Sequence, residues 1–131
     1  MSLTQEDRDT MIKLYLERAF LFMSKADEYF GNGDYLTAAN RYYYACFHAV
    51  HALFVKEGLY TRTHEGLNVQ FSLHFVKTGR FETKFGSLVA TMEHLRDKAD
   101  YNVLFDVTKE DLEHTRPEIH ELLDKIQKEL S

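Results

Sequence analysis

The chain has 131 residues, 44% of them hydrophobic, with a formal net charge of −5, one proline, six glycines and one cysteine. That length suits one domain spanning residues 1–131, and the composition excludes a disordered chain, a turn-rich β-sandwich and a general grip on nucleic-acid backbones, which needs clustered Lys and Arg. No stretch approaches the roughly 18 uncharged residues of a membrane span, and the start MSLTQEDRDTM is acidic, so a cytoplasmic, reducing setting is expected in which Cys46 stays an inert buried thiol.

Thr4 with Asp7 three residues later opens a first helix near residue 5. Ile12, Tyr15, Leu16, Ala19, Phe22, Met23, Ala26, Tyr29 and Phe30 give it a wide apolar face before Gly31-Asn32-Gly33 ends it. A connection so short predicts an antiparallel return. Asp34 is placed to cap a second helix that stops at Gly58. This second helix is apolar nearly all round, through Ala38, Ala39, Tyr42, Ala45, Cys46, Ala49, Val50, Leu53 and Phe54, with Tyr43, Phe47 and Val55 widening the face, so it is expected at the centre of the fold. Its apolar surface exceeds what one small bundle readily covers, which predicts a homodimer.

Residues 59–64 read as a loop carrying Arg62 and His64. A third, short helix follows, with Leu67, Gln70, Phe71, His74 and Phe75 on one face, and breaks at Thr78-Gly79. Phe81, Phe85, Leu88, Met92, Leu95 and Ala99 then recur at helical spacing in a fourth helix that ends between Lys98 and Tyr101, followed by a loop over residues 102–107. Thr108 with Asp111 opens the last helical region. Pro117 predicts a kink or restart at residues 114–117, with Thr115 as the new cap and Glu118 as its partner. The charges from Lys109 to Leu130 read as a solvated face. The expected fold is all-α: a four-helix up-and-down bundle with an extra short helix and a kinked C-terminal helix.

Three stretches carry a resemblance: AANRYYYACFHAVHALF in the second helix, THEGLNVQFSLHFVKTG after it, and LRDKADYN at the end of the fourth. Together they resemble the HEPN-domain proteins of prokaryotes, in particular a small single-domain branch with an Asn-Arg-x-Tyr-Tyr-Ala-x-Phe-His helix and an Arg-x-x-x-Asp-Tyr segment, over residues 8–130. The resemblance implies a helical bundle that dimerises with its site in a cleft between protomers. It also implies action beside a minimal nucleotidyltransferase as a toxin–antitoxin pair, the active members being metal-independent ribonucleases. Their signature is Arg, four to six residues, then His. Here Arg96 is followed by Asp97, Lys98, Ala99 and Asp100, and the histidine position holds Tyr101. A tyrosine, with a reference pKa near 10 against about 6.5 for histidine, exchanges protons poorly at neutral pH.

Within the second helix, Arg41, Tyr44, His48 and His51 fall on one polar stripe, either a pocket wall or an interface. Arg41 and His48 lie two turns apart, about 10.5 Å along the axis, close enough for a long arginine and an imidazole to share a phosphate; alternatively Arg41 pairs with an acid from another helix and His48 with a buried tyrosine. His48, His51 and His64 have no carboxylate or cysteine partner at ligand spacing, and neither a metal nor a cofactor is expected. Arg96, Asp100 and Tyr101 beside this stripe would supply a forked donor, an orienting acid and a hydroxyl for an anion, or else simply end a helix. The tyrosine run 42–44 reads as core or interface, with a base-stacking platform as the alternative.

The expectation is therefore a HEPN-like binding component of a toxin–antitoxin-type or nucleotidyltransferase-partnered system that handles RNA or a nucleotide at a dimer cleft, using Arg41, Tyr44, His48, His51 and Asp100. One alternative is a divergent metal-independent ribonuclease using Arg96 with Tyr101 or His48. The other is a purely structural interaction protein. Arg96 is expected to contribute little to stability, because exposed ion pairs are worth about 0–1 kcal/mol.

Overall fold

The computed structural model describes residues 3–61 and 63–131, with the side chains of residues 64 and 65 outside the description. Arg62 and the His64 side chain, named above for the loop and for a histidine trio, therefore lie outside the described residues.

Helix α1 (Gln5–Gly31) begins in a reciprocal capping box: the Asp7 amide donates to Thr4 Oγ1 at 3.0 Å and the Thr4 amide to Asp7 Oδ2 at 3.2 Å. The chain turns through residues 32–34 into α2 (Tyr35–Glu57), which Asp34 caps by accepting from the Thr37 amide at 3.1 Å. Gly58 closes α2 with φ 73°, a left-handed conformation that costs glycine nothing. As the apolar pattern requires, α2 is central: it packs against α1, α4 and α6 and also touches α3 and α5.

Thr63 caps α3 (His64–Phe71), accepting from the Gly66 amide at 2.8 Å. Here the structure departs from the expected plain helix running to residue 77. Residues Ser72–Val76 form a π turn, with the Lys77 amide bonded back to the Ser72 carbonyl at 2.8 Å. The wider turn keeps Phe71 and Phe75 fully buried and leaves His74 exposed, bonded to Gln70 at 2.8 Å instead of lining the core. Phe75 stacks on Phe54 of α2 at 5.9 Å and meets Phe81 edge-on at 6.0 Å; Phe81 in turn meets Phe85. This aromatic chain seats the start of α4 (Thr83–Tyr101) on the core.

After α4, a second capping box between Thr108 and Asp111 opens α5 (Lys109–Glu113), and α6 (Thr115–Leu130) restarts immediately after His114. The break falls where Pro117 requires it. Thr115, however, is not the cap: it is the first helical residue, it is buried, and its hydroxyl donates to the Leu112 carbonyl at 3.1 Å, because His114 stays in right-handed helical conformation and the backbone never opens a capping site. The four long helices α1, α2, α4 and α6 make the bundle, α3 with its π turn is the extra short element, and the described residues contain no strand. No helix among them is long and apolar enough to cross a membrane.

Most of α2's apolar face is covered within the chain, including Ala38, Tyr42, Tyr43, Ala49, Leu53 and Phe54. Burial pushes the Cys46 thiol up to about 12, so it carries no thiolate chemistry. Among the residues that stay half-exposed on α2 are Thr37, Asn40, Arg41, Tyr44, Phe47, His48 and His51.

Candidate functional site

The polar stripe of α2 meets two different neighbours. Tyr44 meets Arg96 on the C-terminal half of α4, and just before the stripe Leu36, Thr37 and Asn40 of α2 join Arg96, Ala99 and Asp100 of α4 around a cleft of about 270 Å³. Arg96 stands at the centre. Its side chain is only 15% exposed, with Cζ 5.5 Å from the Tyr43 ring centroid and 5.8 Å from that of Tyr44, so its charge sits within cation–π reach of two rings that are themselves nearly perpendicular. Nη1 donates to Asp97 Oδ1 at 3.1 Å. Nε lies 3.3 Å from Asp100 Oδ2 but without hydrogen-bond alignment, so this buried N–H has an ion-pair neighbour and no hydrogen-bond acceptor. Burial works against the guanidinium charge, yet Tyr44 and Asp100 more than offset it and the Arg96 pKa rises further above its ordinary value. Burial, and then Glu93, likewise holds the Tyr43 hydroxyl well above the usual tyrosine range.

The C-terminal part of the stripe faces α1. His48 stacks on Tyr15 at 6.0 Å and meets Phe22 edge-on at 5.3 Å; His51 stacks on Tyr15 at 5.4 Å and abuts Phe47 at 4.3 Å. His48 Nδ1 is buried without a hydrogen-bond partner. Burial, reinforced by Arg18 and His51, lowers the His48 pKa from 6.5 to about 4, so the imidazole is neutral at pH 7 and a weak base. Arg41 donates to its neighbour Asn40 at 2.9 Å and lies over Phe22 at 5.5 Å. Neither an acid paired with Arg41 nor a hydrogen bond from His48 to a buried tyrosine is among the described interactions; the tyrosines at His48 are half-buried and meet it ring to ring.

The structure thus brings Arg96, Asp100 and Tyr44 together, and adds Thr37 and Asn40, which sequence reasoning missed. Asn40 was readable as one of the few polar residues in α2, but nothing in the spacing assigned it to α4. Tyr44 is the link to the second group: it touches Arg96 on one side and His48, at 6.2 Å between centroids, on the other. Tyr101 is the last residue of α4, 82% exposed, and the groups in contact with Arg96 are Tyr43, Tyr44, Asp97 and Asp100. Among the described residues no set of three His, Cys, Asp or Glu side chains is gathered to hold a metal.

The C-terminal charges Lys109, Glu110, Asp111, Glu113, Glu121, Asp124, Lys128 and Glu129 are exposed, as a solvated face requires, and a second polar cluster sets Arg116 and His120 apart from them. Tyr42 donates its hydroxyl to Asp27 Oδ1 in a short hydrogen bond. Arg116 Nε donates to the Tyr42 hydroxyl at 2.8 Å, and His120 Nε2 meets Asp27 Oδ2 at 2.9 Å. Arg116 and His120, both partly exposed, reach Asp27 because α6 packs against α1 and α2. Burial, together with the Asp27 carboxylate, raises the Tyr42 pKa well above the usual tyrosine range. The only signal in the sequence was the one-turn spacing of Arg116 and His120.

Comparison with known proteins places this chain in a family. The HEPN domain model matches residues 12–130. A Methanocaldococcus jannaschii protein named "Putative toxin" is 33% identical over 98% of this chain and 96% of its own length. A "UPF0332 protein" of Thermotoga maritima is 30% identical over 93% of this chain and 92% of its own. A second M. jannaschii protein bearing the toxin name is 25% identical over 88% of this chain and 78% of its own.

Proposed function

Because the chain belongs to the HEPN domain family, we propose that it is a HEPN-type binding component that handles RNA or a nucleotide in the cleft between α2 and α4. The observation that carries this reading is Arg96: a guanidinium set within cation–π distance of both the Tyr43 and Tyr44 rings, with an Nε–H that lacks a hydrogen-bond partner, lining a cleft with Asn40, Thr37 and Asp100. A buried unsatisfied donor costs free energy that a ligand acceptor would recover. Asp97 and Asp100 already flank the Arg96 charge, so the group that fits is not a bare phosphate. It is one offering acceptors to Arg96 and Asn40 and donors to Asp100, as a nucleobase edge or a ribose does.

We extend the proposal to assembly and setting. The half-exposed aromatic seam of Tyr15, Phe22, Tyr44, Phe47, His48 and His51, with Leu14 and Leu21 exposed beside it on α1, would be covered by a second copy. The exposed run Tyr101, Val103 and Leu104 after α4 would add a contact for a nucleotidyltransferase partner in a toxin–antitoxin-type pair. The toxin names of the relatives support that pairing, and the acidic cysteine-poor chain suits the cytoplasm. The ribonuclease alternative gains less support: His48 at a pKa of about 4 is a poor base, and Tyr101 is not among the groups touching Arg96.

Equilibrium binding of adenosine, AMP and a short single-stranded RNA tests the cleft. Arg96→Ala should weaken binding at least tenfold, with Arg96→Lys intermediate, because an ammonium lacks the planar fork. Binding that both variants leave unchanged would remove Arg96, and with it the cleft, from the function. Light scattering at micromolar concentration tests the dimer, which a monomeric mass would exclude.

A further inference from the structure

The cluster of Asp27, Tyr42, Arg116 and His120 lies apart from the α2/α4 cleft and holds donors that it does not use. Both Asp27 oxygens are engaged inside it: Oδ1 accepts from the Tyr42 hydroxyl and lies 3.4 Å from Arg116 Nη2, while Oδ2 meets His120 Nε2 at 2.9 Å. Arg116 gives Nε–H to Tyr42 and its guanidinium lies 3.9 Å above the Phe30 ring, so the group is fixed in orientation by three neighbours. A guanidinium has five N–H donors. Only two serve this cluster, which leaves the Nη1 pair and one Nη2 hydrogen. His120, with Nε2–H given to Asp27, keeps Nδ1, a lone pair when neutral and a donor when protonated.

Arg116 and His120 stand one turn apart on α6, about 6 Å along the axis, with side chains 32% and 44% exposed. Tyr42, Asp27 and Arg116 already tie α6 to α1 and α2, and a half-exposed histidine adds little to such a tie. What His120 adds is a second donor, aligned by Asp27 and set beside a preorganised arginine fork.

We propose that Arg116 and His120 form a phosphoryl-binding pair on the α1/α6 face, with the phosphate oxygens shared between Arg116 Nη1 and protonated His120 Nδ1. Among the described residues, the titratable groups bonded to the pair are Asp27 from α1 and Tyr42 from α2; the exposed Asp124 follows His120 one turn along α6. A phosphate bound at Nδ1 favours the protonated imidazole over the neutral one. By linkage, the same binding raises the midpoint at which His120 takes up its proton. The phosphoryl group belongs either to a small monoester or to a nucleic-acid backbone.

The test is an NMR titration of the histidine ring nitrogens of the whole chain between pH 5.5 and 8, with inorganic phosphate against chloride at matched ionic strength. Phosphate should shift the His120 resonances saturably, in the millimolar range, and raise the midpoint of the His120 titration, while Arg116→Gln should lose both effects and Arg96→Ala should keep them. AMP and a short single-stranded RNA then separate the two sources: saturation by AMP alone identifies a monoester, and saturation by RNA at equal phosphate concentration identifies a backbone. A His120 response no larger than that to chloride overturns the proposal, as does a phosphate response that persists in Arg116→Gln. If that variant loses its helical spectrum, the wild-type comparison and Arg116→Lys, which should bind at least threefold more weakly than wild type, decide the matter.

Discussion

The guanidinium carbon of Arg96 on α4 lies 5.5 Å from the ring centroid of Tyr43 on α2, and this cation–π pair ties the candidate cleft to the core of the bundle. Tyr43 is buried, so the arginine rests on a fixed surface. Helical phase alone points Arg96 away from the α4 core stripe and suggests an exposed, energetically minor residue; the tyrosines of α2 cover it instead. Arg96→Ala should therefore cost about 1–2 kcal/mol, the range of partly desolvated cation–π contacts, and lower the melting temperature by about 3–8 °C. Arg96→Lys should recover part of this. Calorimetric melting of both variants checks it, and an alanine variant melting within a degree of wild type would mean that the pair contributes nothing.

His48 makes stability pH-dependent in a defined window. The unfolded imidazole takes its proton near pH 6.5 and the folded one only near pH 4, so between these values the unfolded chain holds more protons. Stability contributed by neutral His48 is complete above pH 6.5 and is lost as the pH falls to about 4. With each tenfold displacement worth about 1.4 kcal/mol, and some screening at a half-buried site, the loss should be on the order of 1–3 kcal/mol. His48→Phe keeps an aromatic ring against Tyr15 and Phe22 and removes the titration. Denaturant midpoints at pH 7 and pH 4.5 should fall further apart for wild type than for this variant; an equal fall would place the titrating group elsewhere.

Much of the architecture was readable because its signals are local. The boxes Thr4/Asp7 and Thr108/Asp111 and the left-handed Gly58 each depend on residues within a few positions, so helix ends followed directly from spacing. The π turn at Ser72–Val76 did not, because Phe71 and Phe75 also fit an ordinary helical period, and it is packing on Phe54 and Phe81 that selects the wider turn. Of the site, Arg96 and Asp100 were readable as a charged helix end beside a polar stripe. Thr37 and Asn40 were not, since their role depends on which turn of α2 lies opposite α4. Asp27 and His120 are separated by 93 positions, and no pattern in either helix names the other.

That separation makes the Asp27–Tyr42 contact the sharpest test of how α1, α2 and α6 are joined. Tyr42 is fully buried, and its hydroxyl both donates to Asp27 and accepts from Arg116. Tyr42→Phe removes one atom and leaves Arg116 Nε without its acceptor in a part-buried place, so it should destabilise by about 1–3 kcal/mol. Asp27→Asn keeps the shape but loses the charge that Arg116 and His120 face, and should cost a similar amount. Since the two residues share one hydrogen bond and one arginine, their effects should not add: a double-mutant cycle should give a coupling of about 0.5–3 kcal/mol. Urea denaturation of the two single variants and the double variant measures it. Strict additivity would mean that the three helices are held by their apolar faces alone and that the polar cluster sits on the seam without joining it.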